Sequence, residues 1–97
     1  MPTYVMLSTL TDEGAKTLAS KPDRIREVNK EIEKLGVKVT VQYAVLGPYD
    51  FVNIVDAPDN ETIARVSAEL GARGSVKLVT LPAVPIDVFI QSLKGAK

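Results

Sequence analysis

The sequence predicts a two-layer α+β domain of element order β-α-β-β-α-β. Three observations carry this. Apolar residues switch between a period of two and a period near 3.6 along the chain, and Gly, Pro, Asp and Asn cluster at the switches. The 97 residues show no composition shift that would divide them, so residues 1–97 form one domain with a C-terminal tail over residues 85–97.

Thr3 to Ser8 reads Thr-Tyr-Val-Met-Leu-Ser, a β-prone run with apolar residues on both faces, as expected of a central strand. Thr11-Asp12-Glu13-Gly14 supplies a capping residue and a turn, and Ala15 to Ala19 is long enough for one short helical turn. The main helix is expected to start at Ser20, with a capping hydroxyl, Pro22 in its first turn and Asp23 facing the helix dipole. Ile25, Val28, Ile32 and Leu35 then recur at three and four, giving one apolar stripe with charged residues around it, and Gly36 ends the helix.

From Val37 the period becomes two. Val37, Val39, Val41, Tyr43 and Val45 point one way and Lys38, Thr40, Gln42 and Ala44 the other, a second strand suited to an edge or a partner surface. Gly47-Pro48-Tyr49-Asp50 turns the chain into a third strand, Phe51 to Val55, so Val37 to Val55 is an antiparallel hairpin. Asp59 or Asn60 caps a second helix whose packing stripe is Ile63, Val66 and Leu70, and Gly71 and Gly74 end it. Ser75 to Leu81 is a fourth strand, and Pro82 and Pro85 make its continuation irregular. Ile86, Phe89, Ile90 and Leu93 fall at i, i+3, i+4 and i+7, the pattern of a short amphipathic helix docked on something apolar.

This order is the ferredoxin-like split arrangement, with both helices on one face of a four-stranded antiparallel sheet and the first and third strands central. Assigning Val5, Leu7, Val39, Val41, Val52 and Ile54 to the helix side leaves Tyr4, Met6, Ser8, Thr40, Gln42, Asn53 and Val55 on the other. A bare face bearing Tyr4, Met6 and Val55 is an apolar patch of the kind that marks an interaction site. The expectation is that two copies pack these faces together, with Phe89 and Leu93 as auxiliary contacts. Ser8, Gln42 and Asn53 then need partners inside the interface, or a cavity holding water or ligand, because an unpartnered buried polar group costs about 1–3 kcal/mol.

Composition narrows the chemistry. Without cysteine or histidine there is no thiolate nucleophile, disulfide, Cys/His zinc site or Ser-His-Asp triad. Twelve basic and twelve acidic residues cancel, so no net charge draws the chain to nucleic acid or anionic lipid. The apolar runs are far shorter than the roughly 20 residues needed to cross a bilayer, and no signal peptide is visible at the N-terminus, so the expected location is the cytoplasm.

Leu46-Gly47-Pro48-Tyr49-Asp50-Phe51-Val52 resembles the Gly-x-Tyr-Asp signature of the GYD domain family. Thr11-Asp12-Glu13-Gly14 is similar to that family's Thr-Asp-x-Gly turn, Asp56-Ala57-Pro58-Asp59 to its acid-Ala-Pro-Asp turn, and Gly74-Ser75-Val76 with Thr80-Leu81 to its last strand. The resemblance covers nearly all of residues 3–83. It implies a ferredoxin-like protomer of dimeric α/β-barrel type whose biochemical role is largely uncharacterised.

Two readings of Gly47 to Asp50 stand side by side. In one, Gly47 and Pro48 shape the hairpin, Asp50 bonds nearby amides and Tyr49 packs over the turn. In the other, Tyr49 and Asp50 stand at the rim of a sheet-face cavity as proton donor and base. Tyr4, Ser8, Gln42 and Asn53 complete the candidate ligand-binding set; no catalytic residue is assigned. Asp12 and Glu13 read as acids at a helix start rather than a metal site, and no cofactor or metal is expected. Gly71-Ala72-Arg73-Gly74 with Lys77 is a weak nucleic-acid signal, since no aromatic pair sits on the central strands. Glu27-Lys30 and Glu31-Lys34 are expected to pair along the wet face of the first long helix.

The functional expectation is a homo-oligomeric small-molecule-binding or regulatory module with a cavity at the sheet face. The second hypothesis is a cofactor-independent enzyme of the dimeric α/β-barrel monooxygenase or isomerase type, with Tyr49, Asp50, Asn53 and Tyr4 acting. The expected partners are a second copy of the chain and a small-molecule ligand, with neither nucleic acid nor membrane.

Overall fold

A computed structural model describes residues 1–95. The chain runs β1 (Thr3–Leu10), α1 (Asp12–Ser20), α2 (Arg24–Lys34), β2 (Lys38–Ala44), β3 (Phe51–Asp56), α3 (Asn60–Ala72), β4 (Val76–Ala83) and α4 (Ile86–Gly95). The four strands are all antiparallel in the order β2-β3-β1-β4, so β1 and β3 are central as the sequence predicts. The ferredoxin-like topology holds. The barrel does not: the sheet is open, with β2 and β4 as its two edges, so the barrel-type association implied by the family resemblance is corrected. The physical reason is that β2 and β4 each have only one strand neighbour and nothing joins them.

Helix boundaries follow local chemistry more closely than hydrophobic period. Thr11 caps α1, its Oγ1 accepting from the Gly14 amide at 3.1 Å and donating to the Gly74 carbonyl at 2.6 Å. The helix therefore begins at Asp12 rather than Ala15 and is a full element through Ser20 rather than one turn. Ser20 is its last residue, not a cap, and its hydroxyl donates back to the Lys16 and Thr17 carbonyls. After Lys21 and Pro22, α2 starts without a side-chain cap. Asp59 caps α3 as expected, taking bonds from the Thr62 amide and hydroxyl at 2.8 and 2.6 Å. Gly36 has φ 100°, the left-handed conformation that ends a helix without a Cβ clash.

The faces of the sheet are opposite to the prediction. Tyr4, Met6, Ser8 and Val55 are buried under the helices, in a core with Ile32 of α2 and Ile63 and Val66 of α3. Because directly paired residues share a face, the registers Val5↔Ile54, Leu7↔Val52, Val5↔Leu81 and Leu7↔Val79 place all six on the uncovered side. β1 is apolar on both faces, so its alternation does not decide between them. The polar tip of Tyr4 does: its hydroxyl reaches Asn60 Oδ1 at 2.6 Å, at the start of α3, a partner that exists only on the helix side.

A bulge in β2 adds a second correction. The register shifts between Val39 and Val41, so Val39 faces the core opposite Val55 while Val41 and Tyr43 face outward opposite Ile54 and Val52. The extra residue, Thr40, donates its hydroxyl to the Ile54 carbonyl at 2.9 Å. An unbroken period-two pattern in sequence thus splits between two faces.

β4 continues through Pro82 to Ala83, which an edge strand permits because one side of its backbone has no ladder. The tail forms the expected helix, α4, but buries none of its residues, so its expected docking is not met within the chain. The radius of gyration, 14.9 Å, exceeds the roughly 12.5 Å of a compact chain of this length, consistent with an element standing off the body.

Candidate functional site

Three places in the structure bear on function, and the candidate residues fall in the first two. Under the helices lies a cavity of about 170 Å³ lined by apolar side chains from β1, β3, β4, α1 and α2, among them Met6, Leu18, Val28, Ile32, Phe51 and Val55. Ser8, Gln42 and Asn53 line it too. They lie on the helix side of the sheet, so the cavity, expected at the uncovered face, instead lies between the sheet and the helices. Gln42 exchanges amide bonds with Asn29 of α2 at 2.8 and 3.3 Å, tying β2 to the helix layer. Asn53 Nδ2 donates to the Met6 carbonyl at 3.4 Å, and Asn53 Oδ1 is buried with no hydrogen-bond partner.

Arg24 and Arg73 also line the cavity and meet at Glu31. Arg24 bonds Glu27 at 3.0 Å and Glu31 at 3.2 Å, while Arg73 bonds the other Glu31 oxygen. The predicted lysine pairs are thus replaced by arginine pairs, and Arg73 bridges the α3–β4 turn to α2. The Arg73 hydrogen bond, with Arg24 adding to it, holds the Glu31 carboxyl below the usual carboxylate range. Hydrogen bonds to Glu27 first, and then to Glu31, raise the Arg24 guanidinium further above its ordinary value. Each arginine takes one Glu31 oxygen through a single guanidinium nitrogen, and the Arg73 contact spans 42 residues, so sequence spacing does not show it.

Tyr4, Tyr49 and Asp50 do not join that cavity. Tyr4 is spent on Asn60. Asp50 Oδ2 accepts from the Leu10 amide at 2.7 Å, its own amide donates to the Ser8 carbonyl at 2.8 Å, and its carbonyl accepts from Val45 at 2.8 Å. Asp50 therefore pins the β2–β3 turn to the end of β1, the contact the turn reading expects. Of the four residues of the enzyme hypothesis, Asn53 lines the cavity, Tyr4 reaches Asn60, and Tyr49 and Asp50 stay together in the β2–β3 turn. No group of three or more His, Cys, Asp or Glu side chains among the described residues is placed to hold a metal ion.

The third place is the uncovered face. Two rows cross it, Val41-Ile54-Val5-Leu81 and Tyr43-Val52-Leu7-Val79, each apolar from edge to edge apart from one phenol. Val41, Val79 and Leu81 are 39, 42 and 45% exposed, and Tyr43 63%. A continuous surface of this kind is rare on a monomer without a binding role. No polar or chemical signal in the sequence singles these residues out, and the feature that finds them is the pairing register.

The motifs shared with the family converge on the framework. Thr11 and Gly14 meet Gly74 and Ser75: the Thr11 amide donates to the Ser75 carbonyl at 3.0 Å, and a Cβ on Gly14 would overlap that same carbonyl. Asp56 accepts from the Thr3 hydroxyl at 3.2 Å, and buried Ala57 donates its amide to the Pro2 carbonyl at 3.1 Å. No described helix is long and apolar enough to cross a membrane.

Comparison with known proteins agrees with this framework. The chain is 58% identical over 95 residues to a Thermus thermophilus protein named glutamine synthetase and cystathionine beta-lyase binding protein, a match spanning 97% of this chain and 100% of that one. The crystal structure of TTHA0845, also from Thermus thermophilus, superposes with a TM-score of 0.56 at 26% identity, covering 88% of this chain and 95% of that one. The GYD domain family model matches residues 4–93. With its signature turn, its paired Thr-Asp-Glu-Gly and Gly-Ser segments and a match over nearly its whole length, this chain belongs to the GYD domain family.

Proposed function

We propose that this chain is a protein-binding regulatory module that self-associates through the uncovered face of its sheet and docks onto metabolic enzymes. The observation that carries the self-association is the pair of apolar rows across that face. Covering them removes apolar surface from water at about 25 cal/mol per Å², and a chain this small gains more from such burial than a large one. A second copy offers a surface of the same shape and chemistry, which is what a two-fold interface needs. The exposed apolar residues of α4, Phe89 at 47% and Leu93 at 64%, extend the surface available to a partner.

Docking onto enzymes is supported by the Thermus relative, whose name states that it binds glutamine synthetase and cystathionine beta-lyase, and whose whole length aligns with this chain. The separation of Tyr4 and Asn53 from the Tyr49–Asp50 turn favours binding over catalysis. The test is to immobilise the protein and pass purified glutamine synthetase and cystathionine beta-lyase over it in turn. The expected result is saturable binding of at least one, weakened by the paired changes Phe89→Ser and Leu93→Ser on α4. Absence of binding to either at micromolar concentration contradicts the docking.

A further inference from the structure

We infer that the cavity between the sheet and the helices is a binding site for a small neutral molecule, mostly apolar, about the size of one aromatic ring and carrying one N–H or O–H donor. The site is separate from the self-association and docking surfaces.

Each property of the ligand follows from a property of the cavity. Its volume, about 170 Å³, is close to the roughly 150 Å³ of an apolar cavity that takes up benzene. Its walls are the side chains of Met6, Leu18, Val28, Phe51 and Leu78 among others, so the body of the ligand is apolar. The ligand is neutral because the charges at the cavity are already matched: Arg24 and Arg73 are bonded to Glu31, and Arg24 also to Glu27. An ion placed inside would have to be desolvated without a free counter-charge.

The donor requirement comes from Asn53. Its Oδ1 is buried and has no partner. Turning the amide over would set that oxygen against the Met6 carbonyl, where Nδ2 now donates, so reorientation gives no relief. A buried acceptor of this kind is normally satisfied, and a donor carried into the cavity that Asn53 lines would supply the hydrogen. Ser8, 5% exposed and one register step along the same face, gives a second polar contact inside an otherwise apolar chamber. Entry is available where Gln42 and Arg73, both exposed, form part of the lining.

Phenol and toluene test this directly, since they share a ring and nearly a shape and differ in the donor. The full-length protein, labelled on its Met, Leu and Val methyls, is titrated with each and followed by NMR. Saturable shifts are expected at Met6, Leu18 and Leu78, with phenol bound roughly tenfold more tightly than toluene, the worth of about one hydrogen bond. Asn53→Leu is expected to abolish that preference. Should Asn53→Leu fail to fold, Val28→Phe fills the chamber from α2, and loss of phenol binding supports the site while unchanged binding overturns it. Equal affinity for the two probes, shifts confined to Val5, Leu7 and Leu81 on the uncovered face, or no saturable shift at millimolar probe overturns the inference and leaves the chamber to water.

Discussion

The two faces of one sheet differ in a way opposite to their exposure. The covered face mixes Tyr4, Met6, Ser8, Asn53 and Val55, whereas the uncovered face presents Val5, Leu7, Val52, Ile54, Val79 and Leu81. Polar groups sit on the side that has helices, because helices offer them partners: Asn60 for Tyr4, Asn29 for Gln42, and Ser67 of α3 for Thr80 of β4 at 2.8 Å. The bare side has no such partners, and the two rows that cross it carry a single polar group, the exposed Tyr43 phenol. Burial within the folded chain and design for burial are therefore separate properties, and the second is read from polarity across the strand register.

The strongest way to break this contrast is to truncate one large residue on each face. Met6→Ala removes a side chain that is 2% exposed and is expected to cost about 2–5 kcal/mol in urea unfolding. Leu81→Ala is expected to cost less than about 1 kcal/mol to the isolated fold and to act on self-association, seen as a concentration-dependent midpoint. Similar losses for both in the isolated fold would erase the distinction. Next in size is Asp50→Ala, which orphans the Leu10 amide and is expected to destabilise by about 1.5–3 kcal/mol while leaving enzyme docking intact. Loss of docking without loss of stability would restore a functional role for the Gly47–Asp50 turn.

Tyr4→Phe sharpens the account of face choice. It removes only the Asn60 bond and is expected to cost about 0.5–1.5 kcal/mol by thermal denaturation, with the core unchanged. The smallest effect belongs to Glu31. Its folded pKa is depressed, so its contribution is complete above the unfolded carboxylate value of about 4.3 and is lost as pH falls through the lower folded value. Below about pH 4.3 stability should fall more steeply in the wild type than in Glu31→Gln, and parallel denaturant midpoints in the two would show that the Arg24–Glu31–Arg73 bridge adds nothing.

Much of the framework was legible in the residues, and the reasons are local. Thr11, Asp59 and Gly36 act at helix ends through their own side chains or backbone freedom, so one sequence window contains the cause. The order of elements follows from periodicity, and the central places of β1 and β3 follow from the order. What escaped is non-local. Which face of β1 meets the helices depends on Asn60, 56 residues away from Tyr4. The bulge at Thr40 resets an alternation that looks continuous, because its cause is the register with β3. Of the candidate residues, Ser8, Gln42 and Asn53 share the lining of one cavity because strand alternation keeps them on one side whichever side that is. Tyr49 and Asp50 were drawn in by their chemistry, and Asp50 is held by backbone amides that chemistry alone does not reveal.

The central claim is that a second copy covers the uncovered face, and the molar mass in solution tests it most directly. Light scattering at micromolar concentration should give at least twice the 10.5 kDa of one chain, falling to that single-chain value when Leu7→Lys and Leu81→Lys are introduced together with the fold retained. A wild-type mass of one chain under the same conditions would contradict it.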